Sequence, residues 1–313
     1  MPDIETPRSA ELGGGADQGA ESAQGLPGRI QRYGVAKGRA VEMIAHLGEQ
    51  DDPHATRVMG RLVDCGNWLH FRHYFTVDKV RLHAASFCKQ HLVCPLCAIR
   101  RGAKMLKAYL DRFRVIQAER PELQAYLVTL TVQNGDDLAE RFGHLRRSLT
   151  QLLKRRHRAK ARSELKNWAG AFYSQEITNK GKGWHPHVHM IVLADRKPSW
   201  QRLRDEWHQI TGDSYVVDVS RREGQEDTEL FLEVCKYALK FSDLSLADNW
   251  QAAQLLHGKR LVGSFGCFRG VEVPPELVDE PLDDLPFIDL FYRYLHGKGY
   301  EFQPAASAAD RVA

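Results

Sequence analysis

Three histidines alternate with other residues in the segment 185–189, which reads His-Pro-His-Val-His and continues into an apolar run that ends at residue 193. In a β-strand, side chains two residues apart point to the same face, so His187 and His189 would lie side by side while Val188 faces the opposite side. Two imidazoles placed in this way can chelate one divalent ion. The pattern therefore predicts a metal site rather than two surface histidines without a ligand.

A complete metal site needs a third ligand, and the sequence offers two. Glu176 belongs to the segment that would pair with the histidine strand, and a carboxylate ligand suits Mg²⁺ or Mn²⁺ better than Zn²⁺. His185 is the competing ligand, because Pro186 leaves the direction of its side chain undetermined. We therefore expect Mg²⁺ or Mn²⁺ to be bound by the two strand histidines and by either Glu176 or His185.

A second group of reactive side chains falls on a predicted helix over residues 229–241. At about 100° per residue, Glu233, Tyr237 and Lys240 lie within about 60° of one another, on a different face from the apolar residues. A phenol beside a metal-bound phosphate can act as a nucleophile, and a carboxylate one turn away can later activate water. Without the histidine pattern, such a cluster would be interpreted as an ordinary group of polar side chains on a solvent-exposed helix face. The histidine pattern makes the chemical interpretation the stronger one.

Four of the six cysteines fall between residues 65 and 97. Cys94 and Cys97 have the spacing of a metal knuckle, and Cys65 and Cys88 can complete a tetrahedral thiolate site. The uneven spacing leaves open that a histidine replaces one sulfur. The candidates for this replacement are His70, His73, His83 and His91. We predict structural Zn²⁺ in a small cysteine-rich module, with reduced free cysteines as the alternative.

Basic side chains are concentrated in one block of the chain. The net charge is only +4, yet residues 81–163 hold 18 basic and 6 acidic side chains, so the remainder is acidic. A segregated basic block suggests a face that binds a polyanion, with nucleic acid favoured over a membrane surface by the site residues above. The candidate DNA contacts are Arg100, Arg101, Lys104, Lys154, Arg155, Arg156 and Arg158, together with Asn134.

The elements that must position these residues alternate between strands and helices. Hydrophobic periodicity predicts helices near 30–47 and 103–114, a strand over 125–132, a long helix over 136–168, a hairpin of 171–177 with 188–193, a helix over 199–210, and a strand over 215–219 before the helix described above. This order predicts an α+β fold, with a central antiparallel sheet and helices on it.

Three motifs in this order resemble those of the rolling-circle replication initiators of small plasmids, which belong to the HUH endonuclease superfamily. Residues 126–134 resemble the first motif of that family, residues 185–189 its metal motif, and residues 233–240 its tyrosine motif. In the related mobilisation relaxases the tyrosine usually precedes the histidines, whereas here it follows them. The cysteine segment resembles one found ahead of the first motif, so the resemblance covers about residues 61–241 and implies a ferredoxin-like or RRM-like palm.

The resemblance also implies a reaction on single-stranded origin DNA. The metal bound by the histidines and Glu176 would polarise a scissile phosphate, and Tyr237 would attack it, leaving a 5′-phosphotyrosine and a free 3′-OH primer. Glu233 matches the carboxylate that directs water at termination in one branch of the family, which favours single-tyrosine chemistry. Lys236 or Lys240 would stabilise the phenolate or the phosphate.

Four segments follow from the motifs and composition. We expect a disordered tail over 1–28, a helical segment with a cysteine-rich DNA-binding module over 29–120, an HUH endonuclease domain over 121–246, and an acidic C-terminal extension of open role over 247–313. No run approaches the roughly 18 apolar residues of a spanning helix, so a cytoplasmic protein that does not enter the membrane is expected.

The implied partners are plasmid origin DNA, both as duplex and as the single-stranded nick site, and the host replication machinery. The sequence has no phosphate-binding GxxxxGK[ST] loop, so unwinding must come from a partner. The resemblance implies a host helicase and a host DNA polymerase. Three other functions stay open: a single-strand transposase of the same superfamily, a zinc-dependent DNA-binding regulator without nuclease activity, and a metal hydrolase of small substrates. The last leaves the basic block and the cysteines unexplained.

Overall fold

A computed structural model of the protein describes residues 22–221, 226–235, 244–273, 282 and 284–304. By its contacts the chain forms two compact units, Met1–Lys104 with Asp279–Ala313, and Met105–Val278. The described residues contain helices and two antiparallel sheets, so the α+β prediction is confirmed. Within the described residues, no helix is long and apolar enough to cross a membrane.

Helices and strands alternate along the described chain. The α-helices are α1 (Leu26–Gly48), α2 (Pro53–Val63), α3 (Pro95–Glu119), α4 (Leu138–Arg155), α5 (Trp200–Thr211), α6 (Asp227–Cys235) and α7 (Leu246–Leu256). The strands are β1 (Trp68–Tyr74), β2 (Lys79–Ala85), β3 (Gln124–Thr131), β4 (Gly170–Asn179), β5 (Trp184–Ala194), β6 (Val217–Ser220), β7 (Val262–Gly266), β8 (Ile288–Leu295) and β9 (Gly299–Gln303).

The first unit is built on a four-stranded antiparallel sheet in the order β2-β1-β8-β9. Helix α1 packs against α2 and β9, and its buried Tyr33 joins Leu69 and Phe71 of β1 in one apolar core with the cysteines. The C-terminal segment, whose role was open from the sequence, supplies two of the four strands. The core of this unit therefore combines residues more than 200 positions apart in the chain.

The second unit contains a five-stranded antiparallel sheet in the order β6-β3-β5-β4-β7. Strand β5, which carries the histidines, lies at its centre and pairs with β3 on one side and β4 on the other. The predicted hairpin is present as β4 and β5. Helix α6 packs on β3, β4 and β5, while α4 packs against β5 and α5.

The long basic helix is shorter than its predicted span of 136–168. Helix α4 ends at Arg155, and a separate 3-10 turn forms at Glu164–Asn167. The physical reason is that the buried apolar stripe of α4 stops at Leu152, after which lysines and arginines offer no apolar face for packing.

The four-part domain division remains a prediction. Its tail of residues 1–28 lies mostly outside the described residues, although α1 already begins at Leu26.

Candidate metal and DNA-processing site

Strand β5 extends further toward its N-terminus than the sequence indicated, because it begins at Trp184 and includes Pro186. The carbonyl oxygen of Pro186 faces Val132, just past the end of β3 at Thr131. Proline has no N–H to donate, and at this position the neighbouring strand has already ended, so the ladder tolerates it. All three histidines of the motif consequently lie on one strand and share one face.

Glu176 of β4 is directly opposite His187 of β5, and this pairing builds a compact cluster of ligand atoms. The Oε2 atom of Glu176 lies 3.1 Å from Nε2 of His187 and 3.7 Å from Nε2 of His189. One ligand atom from each residue lies within 4.8 Å of the others, so these three residues could hold one metal ion. Glu176 is fully buried, and a buried carboxylate is stable only beside positive charge or strong hydrogen bonds.

In His187 and His189, a hydrogen bond at Nδ1, the ring nitrogen that does not face Glu176, fixes the orientation of the imidazole. The Nδ1 atom of His187 lies 3.2 Å from the carbonyl oxygen of His185, to which only a protonated Nδ1 can donate. The Nδ1 atom of His189 lies 2.9 Å from the hydroxyl oxygen of Thr129 on β3. With Nδ1 engaged in each ring, both Nε2 atoms face Glu176, the orientation that metal-binding histidines adopt.

His185, the competing third ligand, is held elsewhere. Its Nδ1 atom lies 2.5 Å from Oδ1 of Asn134, and the Asn134 amide donates to the carbonyl oxygen of Lys182 at 3.2 Å. Among the described residues, the group of metal-competent side chains on this sheet contains Glu176 and not His185. The geometry therefore favours Glu176 as the third ligand, and it gives Asn134 the role of positioning His185.

Helix α6 covers the same face of the sheet as the Glu-His-His cluster. Phe172 precedes Glu176 by four positions in β4 and so points to the same face. The ring of Phe231 from α6 packs on Phe172 with centroids 5.3 Å apart, and Leu230 and Val234 are also buried. Glu233 is half-buried on this helix. The candidate residues Lys236, Tyr237 and Lys240 follow the described part of α6 and lie outside the described residues.

The four cysteines of the first unit form the second cluster. Their sulfur atoms lie 3.6 Å apart between Cys65 and Cys94, 3.7 Å between Cys65 and Cys97, and 3.5 Å between Cys88 and Cys97. A tetrahedral zinc site with Zn–S bonds of about 2.3 Å has sulfurs about 3.8 Å apart, whereas a disulfide has about 2.05 Å. The cluster therefore has the dimensions of a four-thiolate metal site. Within the described residues, no histidine joins it.

Local backbone geometry directs hydrogen-bond donors at these sulfurs. The N–H groups of Cys88 and Gln90 donate to the sulfurs of Cys65 and Cys88, each at 3.4 Å. Gly66 has a φ of +67°, and a Cβ there would lie 2.2 Å from the Leu96 side chain, so only glycine fits after Cys65. Hydrogen bonds from the neighbouring thiols, Cys88 first, lower the pKa of Cys65, which favours a thiolate.

The two remaining cysteines belong to the second unit and are not members of this cluster. Cys235 is buried in α6 and Cys267 is half-buried after β7, both as free thiols. Burial raises the pKa of each thiol, so both are expected to stay protonated and unreactive.

The predicted DNA contacts fall into two sets. Arg100 stacks over the Phe87 ring at 3.7 Å, Arg155 donates to Gln209 at 2.8 Å, and Arg156 lies over the Phe265 ring at 4.7 Å. These three guanidinium groups already have partners within their own units. The exposed basic side chains are Arg101, Lys104, Lys154 and Arg158. The exposed set is the better placed for phosphate contacts.

The described residues thus combine an antiparallel α+β unit whose Glu-His-His cluster could hold one metal ion with a second unit whose four-cysteine cluster could hold another. Residues 79–288, about two thirds of the 313 residues, match the family described as replication protein. The chain therefore belongs to this family of replication proteins. The matched span includes Glu176, His187 and His189, and it also includes three of the four clustered cysteines.

Curated relatives agree with the family match. The chain is 28% identical to a protein named "Protein rep" of Staphylococcus aureus over 212 residues, which cover 63% of this chain and 86% of the relative. It is 25% identical to a "Protein rep" of a Bacillus species over 274 residues, covering 74% and 85%. A "Protein rep" of Bacillus amyloliquefaciens is 24% identical over 278 residues, covering 76% and 78%. No solved structure matches the chain.

Proposed function

We propose that this replication protein starts rolling-circle replication of a plasmid by nicking one strand of its origin DNA, with Tyr237 as the nucleophile. The supporting observation is that Glu176, His187 and His189 converge on the sheet face covered by α6, the helix whose described part ends two residues before Tyr237. Membership of the replication-protein family supports the same conclusion.

The proposed metal at the Glu-His-His cluster is Mg²⁺ or Mn²⁺. A buried carboxylate oxygen and two oriented imidazole nitrogens fit a divalent ion, and this set leaves coordination positions for phosphate oxygens. When bound, the ion would act as a Lewis acid toward the scissile phosphate. Zn²⁺ is the proposed ion for the four-cysteine cluster, since the sulfur spacing fits tetrahedral thiolate coordination and leaves no open position.

The proposed cleavage exchanges one phosphate ester for another. The phenolic oxygen of Tyr237 forms a bond to phosphorus while the bond to the 3′-oxygen breaks, giving a 5′-phosphotyrosine and a 3′-OH. The proton lost by the phenol balances the proton taken up by the leaving oxygen. We assign Lys236 or Lys240 to stabilising the phenolate or phosphate, and Glu233 to directing water at termination.

The proposed partners are origin DNA, a host helicase and a host polymerase. Exposed Arg101 and Lys104 in the first unit, and Lys154 and Arg158 in the second, would contact phosphates of duplex or single-stranded origin DNA. The free 3′-OH made by cleavage is the substrate that a polymerase extends. A cytoplasmic location agrees with these partners and stays a prediction.

The alternatives differ from this proposal in what they predict for Tyr237. The family description favours replication over a single-strand transposase, which would use the same chemistry on transposon ends. A DNA-binding regulator would use the histidines only structurally and would form no covalent product. A small-substrate hydrolase would leave the four-cysteine cluster and the basic block without a role.

Covalent trapping tests the proposal. Purified protein is incubated with Mn²⁺ and single-stranded DNA from its own replicon, and the products are separated under denaturing conditions. We expect a protein–DNA adduct that is absent in Tyr237→Phe and in His187→Ala. Tyr215→Phe is the matched control, because Tyr215 is a 63% exposed phenol that lies before β6 and is not part of the Glu-His-His cluster. Cleavage without any adduct would overturn the tyrosine assignment, and an unchanged adduct in Tyr237→Phe would do the same.

A further inference from the structure

The four-stranded sheet of the first unit has two unlike faces. One face belongs to the core, where Leu69 and Phe71 of β1 are fully buried and Tyr292 of β8 packs edge-on against Phe71. Because side chains alternate along a strand, the residues between them point to the other face. On β1 these residues are Trp68, His70 and Arg72. The second face is thus made of large planar side chains and charge rather than of small polar residues.

Pairing between β1 and β8 continues this pattern across the sheet. Trp68 is directly opposite Arg293, and His70 is directly opposite Phe291. Trp68 is 43% exposed and Phe291 is 38% exposed, so both side chains are accessible to solvent. Directly paired side chains on one face lie within contact distance, so these residues form one continuous surface. We call Trp68, His70, Arg72, Arg81, Phe291 and Arg293 the aromatic-arginine face.

The His70 and Phe291 rings of this face hold each other in place. The imidazole of His70 stacks on Phe291 with centroids 4.3 Å apart, and its Nε2 lies 2.7 Å from Oδ1 of Asp289. Desolvation acts to raise the pKa of Asp289, but the hydrogen bond from His70 and the charge of Arg72 outweigh it and leave the pKa below its ordinary value. A ring pinned in this way loses little further conformational entropy when another flat group stacks on it.

Positive charge lies beside the rings. Arg72 and Arg81 are directly opposite each other on β1 and β2, a like-charge pairing that destabilises a sheet unless an anion lies between or beside the two groups. Asp289 lies 3.5 Å from Arg72, whose guanidinium also lies over the Phe287 ring at 4.1 Å. Arg293 adds a third guanidinium, exposed and directly opposite both Trp68 of β1 and Glu301 of β9. The face therefore combines stacking surfaces with sites for anionic groups.

We propose that the aromatic-arginine face binds single-stranded DNA, with unpaired bases stacked on Trp68 and Phe291 and phosphates contacted by Arg72, Arg81 and Arg293. Bases in a duplex are already stacked on one another, so exposed rings on a sheet surface select unpaired bases. This surface lies in the unit that contains the four-cysteine cluster and includes no residue of the Glu-His-His cluster. It goes beyond the proposed nicking activity and does not depend on the chemistry of Tyr237.

Binding of a single-stranded homopolymer isolates this surface from cleavage. Full-length protein carrying Tyr237→Phe, without added Mg²⁺ or Mn²⁺, is titrated into fluorescein-labelled oligo(dT), and anisotropy is recorded at several salt concentrations. Loss of one stacked base weakens binding by about 5- to 150-fold, so Trp68→Ala and Phe291→Ala should each fall in this range. Arg293→Gln should lower the slope of log affinity against log salt by about 0.7.

Controls separate stacking from unfolding. Phe75→Ala is the matched control for Phe291→Ala, because Phe75 is 50% exposed but lies in the turn after β1. Trp68→Phe keeps a stacking ring and should retain most of the affinity while losing the quenching of tryptophan fluorescence by oligo(dT). Unchanged affinity in both Trp68→Ala and Phe291→Ala would overturn the proposal. The proposal would also be overturned if Trp68→Ala and Phe291→Ala lost as much affinity for a duplex of the same length as for oligo(dT). Tighter binding of oligo(rU) than of oligo(dT) by the Tyr237→Phe protein would overturn it as well.

Discussion

The hydroxyl of Thr129 offers a sharp test of how the Glu-His-His cluster is organised. It lies 2.9 Å from Nδ1 of His189, on the side of the ring opposite the nitrogen that faces Glu176. Thr129→Val replaces this hydroxyl with a methyl group of nearly the same shape. The change therefore leaves the three proposed ligands in place and removes one hydrogen bond that orients a ligand.

The expected effect is large on metal binding and small on folding. Loss of a partner behind a metal-binding histidine typically weakens metal binding by about 10- to 100-fold, or about 1.4–2.7 kcal/mol. The free energy of unfolding should fall by only about 1 kcal/mol, the usual contribution of one hydrogen bond. Thr129→Ser keeps the hydroxyl and should restore most of the metal affinity.

Calorimetric titration of Mn²⁺ into the full-length protein measures this effect. Thr131→Val is the matched control, because Thr131 lies two residues along β3 on the same face and donates to the carbonyl oxygen of Val216 at 3.2 Å. It should lose a similar amount of stability and keep its affinity for Mn²⁺. Equal losses of Mn²⁺ affinity in Thr129→Val and Thr131→Val would refute the reasoning, as would no loss in Thr129→Val.

Removal of the proposed zinc ion from the four-cysteine cluster should unfold the first unit, because structural zinc sites contribute on the order of 10 kcal/mol. Cys94→Ser is expected to bind no zinc in a chromogenic chelator assay, whereas Cys267→Ser, outside the cluster, keeps one ion per chain. Truncation of residues 288–313 deletes β8 and β9 from the same core and should release the zinc and lower the melting temperature. Burial raises the pKa of the Glu206 carboxyl group, so the folded state binds a proton at this group more tightly than the unfolded state does. Protonation of Glu206 therefore stabilises the folded state as the pH falls. The difference in urea midpoint between the unmodified protein and Glu206→Gln should therefore shift in favour of the unmodified protein when the pH is lowered from 7 to 5.

Features that depend on residues close together in sequence were predictable. Alternation placed His187 and His189 on one strand face, and the hairpin joined them to Glu176 eleven positions earlier. The spacing of Cys94 and Cys97 indicated a knuckle, which the sulfur distances fit. In each case a short stretch of backbone with a known period determines which side chains meet.

Features that depend on distant pairing were not predictable. The bond between Thr129 and His189 spans 60 positions and follows from the register of β3 against β5, which no local pattern specifies. The pairing of β1 with β8 joins opposite ends of the chain, so neither the core around the four cysteines nor the aromatic-arginine face was visible in the sequence. The choice between Glu176 and His185 likewise depended on the position of Asn134 after β3.

Peptide mapping of the covalent product tests the central claim most directly. The protein is incubated with Mn²⁺ and a single-stranded origin oligonucleotide, digested, and analysed by mass spectrometry for the residue that carries the nucleotide. We expect a single phosphotyrosine adduct at Tyr237, absent when Glu176 is replaced by alanine. An adduct at another residue such as Tyr215, or strand cleavage with no adduct at all, would contradict it.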